Sequence, residues 1–147
     1  MTGRSPASKS GRREARERAL ALLYEVDTKG STIDEVLAAL PVPPDRFATE
    51  VTEGVERERD TLDELIARYS RGWTLHRMPV LDRVVLRMGT FELLHRPDVP
   101  AGVAIAEAVE LAKRFSTDDS GRFVNGVLAA IAAEVRPGQT RPRPTGR

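Results

Sequence analysis

The sequence contains no cysteine, and its supply of other reactive and aromatic side chains is small. It has two histidines, one tryptophan, two tyrosines and four phenylalanines among 147 residues. The lack of cysteine excludes a disulfide framework, a thiolate nucleophile and a cysteine-ligated zinc, and favours a reducing, cytoplasmic setting. No apolar run of about eighteen residues occurs and the N-terminus is polar and basic, so neither a membrane span nor a secretion signal is predicted.

The side-chain patterns typical of enzymes are also missing. His76 and His95 lie far apart with no second ligand at helical spacing, so no metal site is expected. No GxxxxGK[ST] phosphate loop, GxGxxG turn or GxSxG elbow is present. Asp118 and Asp119 precede a helical pattern, where acids stabilise free N–H groups, so we interpret them as helix-start residues. The sequence therefore predicts no catalytic residue, no cofactor and no enzyme activity.

Charge is unevenly distributed along the chain, although the formal net charge is only +1. Residues 1–18 hold six basic and two acidic side chains, and residues 136–147 hold four arginines and no acid, so each end carries +4. Residues 19–135 therefore carry −7. Two basic ends on an acidic body predict a polyanion as the partner of the ends and a basic protein as a partner of the body.

One helical domain is predicted between two tails. Residues 1–10 and 136–147 are rich in Gly, Pro, Ser and Arg and have few apolar side chains to bury, so we predict a disordered basic arm and a disordered basic tail. Residues 11–135 have apolar side chains at helical spacing and no sustained strand pattern. This pattern predicts an all-α fold of about seven helices around one core.

Local signals predict the boundary between the first two helices. Apolar residues recur at helical spacing over residues 15–26, and Lys29 and Gly30 supply a basic last turn followed by a stop. Thr32 and Glu35 have the spacing of a capping box, in which each side chain binds the backbone N–H of the other residue. A second helix is therefore expected to start at Thr32.

Three further signals concern the later helices. Thr61 and Glu64 repeat the capping-box spacing, which predicts that the fourth helix starts there. Residues 79–95 are apolar on more than one side, which predicts a central, mostly buried fifth helix. Gly126 lies inside the seventh helix at a cost of about 1 kcal/mol, which predicts that another group packs closely against it.

The arginines at the start of the first helix have two interpretations. Arg12, Arg13 and Arg16 are spaced to project to one side of a helix, opposite the apolar stripe that begins at Ala15. They can form a merely solvated face. A patch of this kind that continues into a mobile basic arm is also typical of nucleic-acid binding. Composition leaves both interpretations open.

The C-terminal half resembles a known family. Residues 85–128, VLRMGTFELLHRPDVPAGVAIAEAVELAKRFSTDDSGRFVNGVL, are similar to the matching stretch of the NusB family, with DVP, EAVELAK and DDSGRFVNGVL as the most specific pieces. The opening RREARERALALLYEVD is similar to the first helix of that family. The resemblance covers about residues 11–135, although residues 30–70 match only in helical pattern. It implies two small three-helix bundles packed together with one additional helix.

The resemblance also implies a function. NusB proteins are bacterial transcription antitermination factors without catalytic activity. They bind the single-stranded boxA element of nascent ribosomal RNA transcripts together with NusE, a small-subunit ribosomal protein. The pair joins NusA and NusG on RNA polymerase and suppresses premature termination.

The resemblance also implies an RNA-binding surface. The positions that match the family's RNA-binding residues lie in the arginine-rich start of the chain and in the segment before the last helix. The implied RNA-binding residues are Arg12, Arg13, Arg16, Asp119, Arg122 and Phe123. Arginines neutralise phosphates, and Phe123 either stacks on an unpaired base or begins the buried stripe of its helix. Asp119 cannot help phosphate binding, but it can accept hydrogen bonds from base edges or lower the affinity by repulsion.

The resemblance further implies a surface that faces NusE. Tyr24 on the first helix would belong to it, at the edge of the buried stripe, where core packing is the alternative role. Asp82, near the start of the central helix, would belong to it as well. An acidic side chain there suits a basic ribosomal protein.

The chain departs from the family pattern at a few positions. Glu14 interrupts the arginine run, Phe91 replaces a frequent tyrosine and Ala106 replaces a common asparagine. The basic tail 136–147 has no family counterpart, and it can add nonspecific RNA affinity.

Two other interpretations remain open. A related helical domain forms the N-terminal part of a ribosomal RNA cytosine methyltransferase, and this chain could be a non-catalytic relative of it. A protein-only interaction module, including a self-associating homodimer, is the other. It predicts that replacing Arg12, Arg13 and Arg16 by alanine leaves RNA retention unchanged, whereas antitermination predicts a clear loss.

Overall fold

The computed structural model describes residues 9–139, so most of the predicted basic arm (residues 1–8) and of the basic tail (residues 140–147) lies outside the described residues. Seven α-helices occur in the described part: α1 (Lys9–Lys29), α2 (Ile33–Ala38), α3 (Arg46–Arg57), α4 (Arg59–Tyr69), α5 (Val80–His95), α6 (Ala101–Phe115) and α7 (Asp118–Val135). A short 3-10 helix (Leu75–Arg77) precedes α5. The all-α prediction is confirmed.

The helices form two groups that meet at α5. Helices α1, α2 and α3 pack on one another, α5, α6 and α7 pack on one another, and α4 packs against α5 and α7. Helix α5 also contacts α1 and α3, and its side chains are buried on all sides at Val84, Val85 and Leu86. The prediction of a central, buried fifth helix is therefore confirmed. Over residues 9–139, no helix combines the length and the apolar character that crossing a bilayer requires.

The boundary between α1 and α2 is formed as predicted. Gly30 has φ +69°, a left-handed conformation that ends α1 without the steric cost that a side chain would add. The Glu35 N–H donates to the Thr32 hydroxyl oxygen at 3.1 Å, and the Thr32 N–H donates to the Glu35 carboxylate at 3.0 Å. The predicted capping box is therefore confirmed.

The predicted capping box at Thr61 is wrong. Helix α4 begins at Arg59, directly after the cap residue Glu58, so Thr61 lies inside the helix. The Glu58 N–H donates to the carbonyl of Gly54, and the Glu58 carbonyl accepts from Leu62, so helical hydrogen bonding resumes at once. The Glu64 N–H therefore lies inside the helix, where its expected partner is a backbone carbonyl one turn earlier and not the Thr61 hydroxyl.

The prediction of a close neighbour at Gly126 is also wrong. A Cβ atom at Gly126 would meet nothing within 4 Å, and the residue is exposed. The close approach in α7 is at Gly121, where a Cβ would lie 2.5 Å from Cγ of Lys113 on α6. A still closer one is at Gly54 in α3.

Replacing Gly54 by alanine is expected to lower the free energy of unfolding by about 1–3 kcal/mol, because the core is overpacked. A Cβ there would lie 2.2 Å from the ring of Phe91, which is itself buried. Gly126→Ala is the matched control, and the better helix propensity of alanine should stabilise it by up to about 1 kcal/mol. Urea unfolding of both variants checks this. Equal stability of the two would contradict the tight packing of α3 on α5.

The segment after α7 is partly ordered, although a disordered tail is predicted from residue 136. Arg136 is 9% exposed, and its guanidinium donates to Gln139 Oε1 at 2.9 Å. It also donates, over 2.8–3.2 Å, to the backbone carbonyls of Glu92, Leu93, Arg96 and Val99. The last carbonyls of a helix lack partners within it, so Arg136 serves as a cap for the end of α5.

A buried carboxylate links α1 to α4 and α5. The Asp27 side chain is 2% exposed and accepts hydrogen bonds from Arg59 at 2.8 Å, Arg87 at 3.0 Å and Arg83 at 3.3 Å. Arg87 also binds Asp63 through two hydrogen bonds. Because buried charges are tolerated only when paired, this network fixes the second half of α1 against the two helices.

Candidate nucleic-acid interface

The first turns of α1 pack around the ring of Phe47 on α3. The guanidinium carbon of Arg12 lies 4.2 Å from the ring centroid, and that of Arg16 lies 5.1 Å from it. Arg96, which follows α5, lies 4.8 Å from the same centroid. Cations over an aromatic face are attracted by its negative charge density, so the ring collects three arginines from two segments.

The predicted three-arginine face is corrected at Arg16. This side chain is 5% exposed and donates to both oxygens of Glu92, at 2.8 and 2.9 Å, while Glu92 is 3% exposed. Helices α1 and α5 lie close enough here to enclose the pair. Arg16 therefore cannot reach a phosphate in this conformation, and its guanidinium joins α1 to α5.

Arg13 points away from the core and pairs with α6. Its guanidinium donates to both oxygens of Glu107, at 2.9 and 3.2 Å, and its side chain is 53% exposed. One turn along α1, Glu17 pairs with Arg114 of α6. Helix α6 therefore runs beside the start of α1 on the exposed side of the molecule.

Arg12 is partly exposed and lies 3.6 Å from Asp98. The hydrogen bonds from Arg96 are the main cause that lowers the pKa of Asp98 below its ordinary value of 3.8, and the charge of Arg12 adds to it. A lowered carboxyl pKa contributes stability that is present above the ordinary value and is lost as the pH falls below it. This cluster therefore holds Arg12 near the surface at neutral pH.

The start of α7 has an ordered cap and an exposed first turn. The Thr117 hydroxyl accepts from the Ser120 N–H at 2.9 Å, so Thr117 is the N-cap. Asp118 and Asp119 follow in the first turn, where negative charge complements the helix dipole, as predicted. Asp119 and Arg122 are both exposed and form an ion pair with each other.

Phe123 lies at the border between core and surface. It is partly buried against the main core, and its ring centroid is 6.1 Å from that of Trp73, with a tilt of 55° between the rings. Trp73 belongs to the segment between α4 and α5 and is 52% exposed. Phe123 therefore packs partly into the core, and its contact with an RNA base stays a prediction.

An open cleft of about 440 Å³ lies between α6 and α7. Its lining residues are Val109, Lys113, Asp118, Gly121, Arg122 and Asn125. The cations can bind phosphate, and the amide of Asn125 can both donate to and accept from a base edge. Lys113 and Asn125 are absent from the predicted site residues, although both lie in the motifs EAVELAK and DDSGRFVNGVL that carry the resemblance.

Asp82 does not lie on an exposed face, so its predicted position is corrected. It is 4% exposed, and one carboxylate oxygen accepts from the Ser120 hydroxyl at 2.8 Å. The other oxygen has no hydrogen-bond partner within the described residues. The first turn of α5 is thus tied to the first turn of α7, because α5 and α7 pack side by side.

Tyr24 is exposed, in agreement with an interface position and against core packing. It is 42% exposed on the second half of α1. The apolar stripe of α1 lies on another side, where Leu22 and Val26 form a small separate core with Ile33 and Val36 of α2. A ring on this side of α1 is free to meet another molecule.

The comparisons with known proteins identify the family. A family model described as the NusB family matches residues 13–133, which is most of the chain. The chain belongs to the NusB family. A transcription antitermination protein NusB from Clavibacter sepedonicus is 49% identical over 133 residues, and the match covers 84% of this chain and 97% of that protein.

Solved NusB structures have the same fold. NusB from T. maritima superposes with a TM-score of 0.78 at 37% identity, over 88% of this chain and 95% of that one. The NusB fold also occurs in a crystal structure of the antitermination factors NusB and NusE in complex with dsRNA, with a TM-score of 0.74 at 25% identity. That match covers 86% of this chain and 99% of the other.

The fold brings together part of the predicted RNA surface. Ion pairs join Arg13 and Glu17 of α1 to Glu107 and Arg114 of α6, and Lys113 of α6 lines the cleft together with Arg122 of α7. The exposed surface therefore runs from the start of α1 across α6 to the start of α7. Arg16 is excluded from it by burial.

Proposed function

We propose that this NusB-family protein acts in transcription antitermination by binding boxA RNA of nascent ribosomal RNA transcripts together with NusE. The observation that carries the proposal is the match of the family model to residues 13–133. The RNA would lie along the surface from the start of α1 to the start of α7. Arg12, Arg13 and Arg122 would contact phosphates there, and Phe123 would stack on a base.

RNA binding would replace two ion pairs within the chain by contacts with phosphate. Arg13 and Arg122 are paired with Glu107 and Asp119, respectively, in the free chain. Exposed ion pairs of this kind contribute little stability, so a phosphate can replace the carboxylate at small cost. Asp119 then becomes free to accept a hydrogen bond from a base edge.

The partner surface is assigned to the exposed side of α1 around Tyr24. A NusB–NusE complex exists for a relative with the same fold, which supports a NusE-type protein as the partner of this chain. An amphipathic ring such as that of Tyr24 suits an interface because it adds buried apolar area and one hydroxyl group. Asp82 would act from inside, by holding the start of α7 through Ser120.

The complex would join RNA polymerase with NusA and NusG and suppress premature termination, without catalysis by this chain. Its setting would be the cytoplasm, where nascent transcripts are made. The acidic body of the chain would favour the approach of a basic ribosomal protein.

Binding of labelled boxA RNA and of a scrambled control, with and without NusE and at two salt concentrations, tests the function. We expect tighter, sequence-dependent binding when NusE is present, and weaker binding at the higher salt. Equal binding of the two RNAs in every condition would refute the boxA proposal. A complex with NusE but none with RNA would instead favour a protein-only module.

Arg122→Ala is expected to weaken boxA binding several-fold and to lower the magnitude of the salt slope by about 1, because one phosphate contact is lost. Arg57→Ala is the control, since Arg57 is another exposed arginine, on α3, and it forms no ion pair within residues 9–139. Fluorescence anisotropy of the labelled RNA measures both. If the two variants lose affinity equally, the RNA surface does not lie at the start of α7.

A further inference from the structure

An exposed aromatic ring adjoins the proposed RNA surface without belonging to the predicted site. Trp73 is the one tryptophan of the sequence, and about half of its surface is accessible. Its ring lies beside Phe123, with the centroids 6.1 Å apart. An exposed ring of this size offers apolar area and one N–H donor for contact with another molecule.

The backbone that holds Trp73 has an unusual conformation. Arg71 has φ +27° and Gly72 has φ +78°, so two successive residues adopt positive φ, and the first of them is not glycine. The Trp73 N–H then donates to the Ser70 carbonyl at 3.2 Å and closes a tight turn. Positive φ at Arg71 is unusual for a residue with a side chain, and the turn leaves the Trp73 ring beside Phe123 of α7.

The same segment is basic and lacks acidic side chains. Between Glu64 and Asp82 the sequence has arginines at 68, 71 and 77 and no aspartate or glutamate. Arg71 and Arg77 are exposed, and within residues 9–139 neither forms an ion pair. Arg13 and Arg122, by contrast, are neutralised by carboxylates in the free chain. The segment that carries Trp73 therefore offers two exposed cations that no carboxylate of the described residues neutralises.

We propose that Trp73 and Phe123 form a two-ring platform that stacks unpaired bases of the bound RNA, while Arg71 and Arg77 contact the adjoining phosphates. This inference rests on the proposed RNA function and extends the RNA surface from α7 onto the segment between α4 and α5. The ligand is single-stranded RNA, because bases in a duplex are stacked on one another and cannot reach the rings. Aromatic platforms with flanking cations are the usual means of holding such strands.

The single tryptophan gives a direct test on the unmodified protein. Titration with unlabelled boxA RNA is expected to quench the Trp73 emission in step with binding measured by anisotropy. The same RNA annealed to its complement should give no quenching at matched concentration. RNA binding that leaves the tryptophan emission unchanged would overturn the proposal, because a stacked indole does not keep its free emission.

Two variants separate stacking from a general structural role. Trp73→Leu keeps apolar bulk without a π-system and is expected to weaken RNA binding roughly 5- to 150-fold, the range found when an aromatic platform is removed. Trp73→Phe keeps a ring and should bind within a few-fold of the unmodified protein. Thermal unfolding identifies any loss of folded protein. Equal binding by both variants would overturn the stacking role.

A second pair of variants tests the proposed phosphate contacts. Arg77→Ser should reduce the magnitude of the salt slope by about 1, because one phosphate contact is lost. Arg57→Ser removes the same charge from an exposed arginine on α3 that pairs with no acid of residues 9–139, and it should leave the slope unchanged. Equal slopes for Arg77→Ser and the unmodified protein would overturn the phosphate contact.

The outcomes also distinguish this inference from the proposed function. If the unmodified protein fails to bind RNA in the presence of NusE, both fall. If it binds RNA and Arg122→Ala weakens the binding while Trp73→Leu does not, the function stands and only the platform falls. If Trp73→Leu reduces binding of NusE in the absence of RNA, the ring is a protein contact and the platform is refuted.

Discussion

Replacing Arg16 by alanine is expected to lower the free energy of unfolding by about 3–5 kcal/mol, because the carboxylate of Glu92 would then be left buried and unpaired. The two side chains are 5% and 3% exposed and share two hydrogen bonds. Arg16 also contributes to the cluster on the Phe47 ring. Denaturant unfolding, followed by helical circular dichroism, measures the change.

Arg13→Ala is the control for this prediction, since it removes an exposed arginine from the same helix. It should affect stability far less than Arg16→Ala and RNA binding more, when RNA binding is compared under conditions where both variants are folded. The double variant Arg16→Met with Glu92→Leu should recover most of the lost stability, because apolar residues of similar volume can replace a buried ion pair. A small loss for Arg16→Ala alone would contradict the structural role assigned to it.

Arg136→Ala is expected to lower the free energy of unfolding by about 3 kcal/mol or more. Its guanidinium donates to four backbone carbonyls around the end of α5, and water cannot easily replace those bonds at a site that is 9% exposed. Hydrogen bonds from charged donors contribute about 1.5–3 kcal/mol each, although they are not additive. Thermal and urea unfolding give the measurement.

Two other variants make the Arg136 prediction specific. Arg136→Lys should recover only part of the stability, because the ammonium group has three donors at one point and cannot match the planar fork of a guanidinium. Arg57→Ala, at an exposed arginine that forms no ion pair in the described part of the chain, should change stability by less than about 0.5 kcal/mol. If Arg136→Ala falls within that range as well, the carbonyl cap does not stabilise the fold.

Much of the fold could be predicted from the sequence because its determinants are local. Apolar spacing predicts all seven helices, and the signals at Gly30 and Thr32 predict one boundary correctly. The same capping-box spacing fails at Thr61, because α3 leads into α4 with only Glu58 between them. A sequence motif cannot report whether the N–H groups it would cap already have partners.

The candidate site was less predictable because burial depends on residues distant in sequence. In the sequence, Arg16 looks equivalent to Arg12 and Arg13. It differs from them in burial, because it pairs with Glu92 of α5 inside the core. Asp82 is likewise buried by α7, through Ser120. Ala106, which replaces a common asparagine of the family, lies at an exposed position of α6.

Arg71, Trp73 and Arg77 are not among the predicted site residues, because their signal in the sequence is weak. Dividing the chain into basic ends and an acidic body hides the acid-free stretch between Glu64 and Asp82. Trp73 gives no periodic pattern, because it lies in a turn between helices. Its proximity to Phe123 is a tertiary contact that only the packing of α4 and α7 reveals.

The contacts of Glu92 can form only at different stages of translation. Its carboxylate binds Arg16, made 76 residues earlier, and its carbonyl accepts from Arg136, made 44 residues later. While the chain is growing from its N-terminus, Arg16 has no buried partner until α5 has emerged, and the end of α5 relies on water until the residues after α7 follow. The contacts of Arg136 with the end of α5 therefore form only after α7 has been translated.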